Sequence, residues 1–202
     1  MKTIVPKVHI LLCVFFLVSF TAKSESLNVL PTVIDLPNGE YNGCFVQYTD
    51  GTVKQFGTLK LVTGIFKTPH LVADDSVVIY AAELKAYQNE NGYAVSQKGF
   101  AGDKKTFVAK DVLPGFAVRI VKGHLNIFSV KYYNGQNITE RLFVQHGDGE
   151  ITACTHELME ELVKESSDAV AVLHSKNKTL SAAKKILAAA EVFNSTKLIA
   201  NN

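Results

Sequence analysis

The chain has 202 residues, 47% of them apolar, and carries 21 Lys and Arg against 19 Asp and Glu. Three of the basic residues (Lys2, Lys7 and Lys23) lie in the first 24, which leaves 18 against 19 in the remainder. A near-neutral remainder makes no electrostatic case for nucleic-acid binding, which would want a clustered basic face, and its ~178 residues fit one domain, or one domain with an appendage, with an unstapled core.

In chain order, residues 1–24 read as a signal peptide. Lys2 and Lys7 form a basic start, Val8–Phe20 is a 13-residue apolar run, and Ala22 and Ser24 are small residues at the −3 and −1 positions of a cut. A membrane span needs roughly 17–25 apolar residues, so this run is too short to be one. The spacing then predicts strands at Leu27–Leu30 and Cys44–Tyr48, with turns at Pro37-Asn38-Gly39 and Asp50-Gly51. Thr52–Val62 reads as one strand bulged at Gly57. Pro69 demotes Ile65–Val72 to an edge or a connection. Further strands are expected at Val77–Tyr80, Glu83–Gln88, Tyr93–Gln97 and Lys105–Val112, with turns at Ala73–Ser76 and Asn89–Gly92.

Phe116–Ile151 is the strongest stretch. Its three apolar runs are closed by Lys122-Gly123, Asn134-Gly135 and Gly147-Asp148-Gly149. Asn-Gly between runs rich in Val, Ile, Phe and Tyr signals a hairpin, because a tight type I′ turn needs positive φ at both central residues. Turn signals every 8–12 residues, with no helical pattern between them, predict a mostly antiparallel sheet that curls or splits. From residue 154 the period becomes 3.6. Thr155–Ser175 carries a stripe of Leu158, Leu162, Ala169 and Leu173, weak at Ser166-Ser167-Asp168, where a cap splits it. A second helix runs from Thr179 or Ser181 to about Phe193, and the polar tail Asn194–Asn202 is expected to fray. The fold class is therefore α+β: a mostly antiparallel β-sandwich or partly open barrel of about nine or ten short strands over residues 25–153, followed by two C-terminal helices in 154–202.

No string in the chain spells a known active site. His156-Glu157-Leu158-Met159-Glu160 starts like the zinc-protease pattern, but its fifth residue is Glu160 rather than His, and no neighbouring stretch offers a third ligand. An acidic, capped first helical turn explains it as well. The histidines at 70, 124, 146, 156 and 174 are scattered singly, so no metal or cofactor is expected. His124 and His146 flank turns of neighbouring strands, where they could converge beside Asp148. There is no Gly-x-Ser-x-Gly elbow, and nothing around Ser96 or Cys44 activates a nucleophile. Tyr80, Tyr87, Tyr93, Tyr132 and Tyr133 could form a ligand platform, though cross-strand pairing accounts for them equally. Trp is absent, which removes the strand signature of lipocalin-type pockets. Once Cys13 leaves with the signal, Cys44 and Cys154 remain; export permits a disulfide between them, and two buried thiols are the other option. Asn137, Asn177 and Asn194 each begin an Asn-x-Thr acceptor string.

The strand pair CFVQYTDGTVKQFGTLKLV, then VVIYAAELKAYQNENGYAVS, the run GFAVRIVKGHLNIFSVKYY, and LFVQHGDGEIT leading into helices form a layout spread over most of the chain. It resembles that of a group of uncharacterised exported proteins of Bacteroidota-type bacteria. The resemblance implies export and no catalytic residues to carry over. The expectation is thus an exported, soluble binding or structural module of the cell envelope, periplasmic or secreted, with a protein partner and without nucleic acid. The alternative is a small-ligand carrier or hydrolase whose site gathers around His124, His146 and Asp148.

Overall fold

Alternation, turn glycines and capping hydroxyls build an α+β fold in which strands precede helices. The computed structural model describes residues 43–64, 66–101, 111–133, 136–177 and 179–200. The signal segment, the strand expected at Leu27–Leu30 and most of that expected at Lys105–Val112 lie outside them. Asp111 and Val112 themselves form a bend.

β1 (Cys44–Tyr48) turns at Asp50-Gly51 into β2 (Val53–Phe56). Asp50 Oδ1 accepts the Thr52 N–H at 2.8 Å, and Gly51 takes φ 89°. The stretch Thr52–Val62 is not one bulged strand. It breaks at Gly57-Thr58, and β3 (Leu59–Gly64) passes to a different sheet. The break is held from outside: Asp74 Oδ1 accepts the Thr58 N–H at 2.9 Å and lies 3.2 Å from where a Gly57 Cβ would sit.

β4 (Lys67–Ala73) corrects the reading of Pro69, because it is the central strand of the three-stranded sheet β3-β4-β5, where β5 is Val77–Tyr80. Pro69 is tolerated because of the register. Pairing with β3 shifts between Val62↔His70 and Gly64↔Lys67, and pairing with β5 ends at His70↔Tyr80. The residue without an N–H thus falls where neither ladder needs one.

The larger sheet takes in β6 (Leu84–Asn89), β7 (Gly92–Ser96), β8 (Phe100–Ala101), β9 (Phe116–Val121), β10 (Leu125–Tyr133), β11 (Ile138–His146) and β12 (Ile151–Ala153). Its order, β2-β1-β6-β7-β9-β10-β11-β12-β8, curls into a half-barrel. All its pairings are antiparallel except β12 with β8. The described strands number twelve rather than nine or ten, mainly because Gly57 divides one and Phe100–Ala101 adds a short edge.

Three helices follow, the first of the two expected helical stretches being split at Ser166. α1 (His156–Val163) and α2 (Ser167–Leu173) are separated at the Ser166 cap, and α3 spans Ala182–Ala200. Thr155, Ser166 and Ser181 each accept a backbone N–H three residues on, which satisfies donors that a helix start leaves open. α3 does not end at Phe193; residues 194–200 of the expected tail are its last two turns.

Three core clusters result. One packs Ile186, Ala189, Ala190 and Phe193 of α3, with Met159, Val163, Ala169 and Leu173, onto Val121, Leu125, Ile127, Leu142 and Val144. Burying Ile186 and Phe193 stabilises this contact by about 3–6 kcal/mol, at about 1.5–3 each. A second cluster lies between the small sheet and β1, β6, β7 and β9, with Val112 and Leu113. A third holds Phe128, Val130 and Phe143, which alternate with the residues facing the helices. Among the described residues, no helix is long and apolar enough to cross a membrane.

Candidate functional site

The ends of β10 and β11 nearest α3 bring two histidines together. Leu125 lies opposite His146 in the ladder, and the Gly147 N–H donates to the His124 carbonyl at 2.8 Å. His124 therefore stands beside His146, and both are exposed. Their Nε2 atoms are 2.9 Å apart, and the rings meet edge-on at 86° with centroids 4.6 Å apart. At that distance one Nε2–H donates and the other Nε2 accepts. A pair that gains a proton on both rings puts two donors face to face and opens.

α3 fixes the pair from the side. The Phe193 ring stacks on His124 at 6.1 Å and 29°. Lys197, one turn on, lies over the Phe193 ring at 5.5 Å and donates to Glu165 Oε2 at 3.1 Å. Burial, then His146 and Lys197, push the His124 pKa below its ordinary value. Glu165 is held below the usual carboxylate range first by its bond to Lys197, with His146 adding to the effect.

Asn194, between Phe193 and Lys197 in α3, is the residue that sequence reasoning missed. Its Oδ1 accepts the Leu125 N–H at 2.8 Å, and its Nδ2 donates to the Leu125 carbonyl at 2.9 Å and the Lys122 carbonyl at 3.4 Å. β9 pairs with β10 only from Ile127 onward, so Leu125 has no strand on that side. The Asn194 amide stands in for the missing peptide group. Gly123 makes room for it: a Cβ there would lie 2.4 Å from the Asn194 amide, at φ 158°. The pairing of a turn glycine with a buried Asn 71 residues later has no local sequence signal. Asn194, at 6% exposed, is also closed as a glycan acceptor.

Asp148, expected beside the histidines, is exposed in the β11–β12 turn and makes no hydrogen bond or ion pair with either, among the described residues. The helical string behaves differently from its reading too. A third group does approach His156 and Glu160: His174, the cap residue of α2. Its Nε2 is 3.0 Å from Glu160 Oε1, and its ring lies 5.3 Å from that of His156. Even so, no group of three His, Cys, Asp or Glu among the described residues converges as metal ligands.

Cys44 and Cys154 are free thiols packed against different core clusters, Cys44 on the small-sheet side and Cys154 under the helices. Burial pushes the Cys154 thiol up to about 11. Ser96 is buried, and its hydroxyl accepts the Lys98 N–H at 3.4 Å, a capping role. The tyrosines are dispersed: Tyr87 is buried and donates no platform, Tyr93 lies under Arg119 at 4.4 Å, and Tyr133 is exposed at the β10–β11 tip opposite Ile138. A hollow of about 380 Å³ lies at the β6–β7 hairpin, lined by Tyr87, Asn89, Asn91 and Asp111 among others.

The fold and site thus define an α+β half-barrel with a histidine pair latched by its last helix. No protein-family model, curated protein or solved structure matches the chain.

Proposed function

We propose that this chain is an exported, non-catalytic binding module of the cell envelope that meets its ligand or partner at the sheet–helix junction. The observation that carries the reading is the exposed His124–His146 contact at 2.9 Å, held on two strand ends and backed by α3. Rigid elements that present neighbouring imidazoles to solvent suit recognition. Hydrolysis asks for more: a nucleophile with an oriented base, or a metal with three protein ligands and an open position. The carrier form of the alternative shares this junction, without Asp148. Export rests on the basic start, apolar run and small −3 and −1 residues of the first 24 positions.

The test is co-purification from native envelope with the wild-type protein and with His124→Gln/His146→Gln. A ligand or partner retained by the wild type and lost from the variant is the expected result. Retention by both would move binding elsewhere. Turnover in an esterase, glycosidase and peptidase panel, abolished by the same variant, would overturn the non-catalytic reading. N-terminal analysis of the envelope protein should find the chain starting near residue 25; an intact Met1 in the cytoplasm would remove export.

A further inference from the structure

We infer that His124 and His146 form a two-point site for a late first-row divalent cation, Cu²⁺ ahead of Ni²⁺ and Zn²⁺, with water completing the coordination. This deepens the binding-module reading, on which it rests.

The geometry carries the inference. Two imidazole nitrogens on one metal, each about 2.0–2.1 Å from it, stand about 2.9 Å apart at a right angle and about 3.3–3.4 Å apart at the tetrahedral angle. The observed Nε2–Nε2 separation is 2.9 Å. That spacing suits adjacent corners of a square or tetragonal ion, the preference of Cu²⁺ and Ni²⁺, while Zn²⁺ favours the wider angle. The order of divalent affinities places Cu²⁺ first on the same nitrogens.

The resting pair holds one proton between its two Nε2 atoms. When the cation binds, the donor ring gives up that Nε2 proton and takes one from water at Nδ1. Both Nε2 lone pairs then face the metal with no net proton released. The backbone bond from Gly147 to His124 and the Phe193 stack keep the two rings from drifting apart, so little ordering remains to be done on binding. Lys197 is the nearby charge that opposes a cation, and Glu165 offsets it through their 3.1 Å bond.

Among the described residues no third His, Cys, Asp or Glu converges with the pair. Two protein ligands with open positions make a site that can share its metal with a donor atom from a second molecule, such as a peptide or a chelating metabolite.

The test is calorimetric and spectroscopic titration of untagged, metal-stripped, exported protein with Cu²⁺, Ni²⁺, Zn²⁺ and Mg²⁺. One tight Cu²⁺ per chain is expected, with two-nitrogen hyperfine structure in its electron paramagnetic resonance spectrum and an affinity order Cu²⁺, Ni²⁺, Zn²⁺; Mg²⁺ should not bind. His146→Gln and His124→Gln should each weaken Cu²⁺ at least tenfold, with an unchanged far-ultraviolet dichroism spectrum certifying the fold. His174→Ala should leave the first equivalent untouched. Absence of stoichiometric Cu²⁺ binding, or binding that survives both glutamine variants, would overturn the cation. If the envelope ligand or partner is nevertheless lost from the double variant, the binding-module reading stands and only its metal falls.

Discussion

Two histidine contacts sit at the helical end of this molecule, and they differ in what they can do. At the β10–β11 end the partner of one imidazole nitrogen is another imidazole nitrogen. At the α1–α2 corner the rings of His156 and His174 are also edge-on, at 66°, yet the His174 Nε2 is directed to the Glu160 carboxylate. There the Glu160 carboxylate accepts the His174 Nε2–H, whereas at the first pair one imidazole accepts from the other. The supporting elements differ as well. His146 ends β11 and His124 precedes β10 in the β9–β10 turn, with Phe193 of α3 stacked on it, whereas His174 caps α2 and Glu160 lies in α1; all four residues are exposed. The two contacts thus differ in their partner: one histidine nitrogen is held by a carboxylate, while the other pair bonds imidazole to imidazole.

The contrast breaks most severely through the latch. Asn194→Ala removes the partners of the buried Leu125 N–H and carbonyl, and the expected loss is about 2–6 kcal/mol in urea unfolding, at about 1–3 per orphaned group. It should also disorder the His124 ring, read as lost His124–His146 cross-peaks in NMR spectra, while the His174 resonances stay in place. Gly123→Ala acts on the same contact from the other side. With a Cβ built 2.4 Å from the Asn194 amide, a loss of about 1–3 kcal/mol is expected. Combining it with Asn194→Ala should cost less than the sum of the two, because they share one contact.

A milder probe is pH. The His124 pKa is lowered in the folded state, so the unfolded chain takes up its proton first as pH falls. The stability tied to His124 is fully present above about 6.5, the ordinary value, and is lost as pH drops from there toward the folded value. The groups facing it are His146 from β11, Lys197 from α3 and Glu165 between α1 and α2. The thermal midpoint should fall between pH 7 and pH 5, and His124→Gln should flatten that fall; an unchanged slope would place the effect elsewhere. Cys154 gives a smaller, chemical readout. With its thiol raised to about 11, it should resist iodoacetamide at pH 8 until the helices are unfolded, as followed by mass spectrometry. Last comes Glu160→Gln, which weakens the exposed hydrogen bond to His174 and should shift stability by less than about 1 kcal/mol.

Much of the architecture was legible because its signals are local. β1, β5, the β6–β7 hairpin and the β9–β12 meander follow from alternation and turn residues, and Ser166 marks the break between α1 and α2. Illegible features depend on contacts between distant residues. Gly57 looks like a bulge until Asp74, 17 residues on, closes the break beside it, and Pro69 looks like an edge marker until the register shift is known. The tight turn expected at Asn134-Gly135 lies outside the described residues, and the ladder that it was expected to close is described as far as Tyr133↔Ile138. The convergence of His124 and His146 was legible as a possibility, whereas Asn194 and the failure of Asp148 to join them were not.

The Asn194 latch has a consequence for the order of events during synthesis. Strands β9 and β10 are made long before the amide that completes their ladder, and α3 supplies much of the cover for Leu125 and Ile127. Since domains form as the chain emerges at about 5–20 residues per second, this half of the molecule lacks the cover of α3 and the Asn194 bonds until that helix has been added. A nascent chain arrested before that point should remain open to protease, and so should stay threadable.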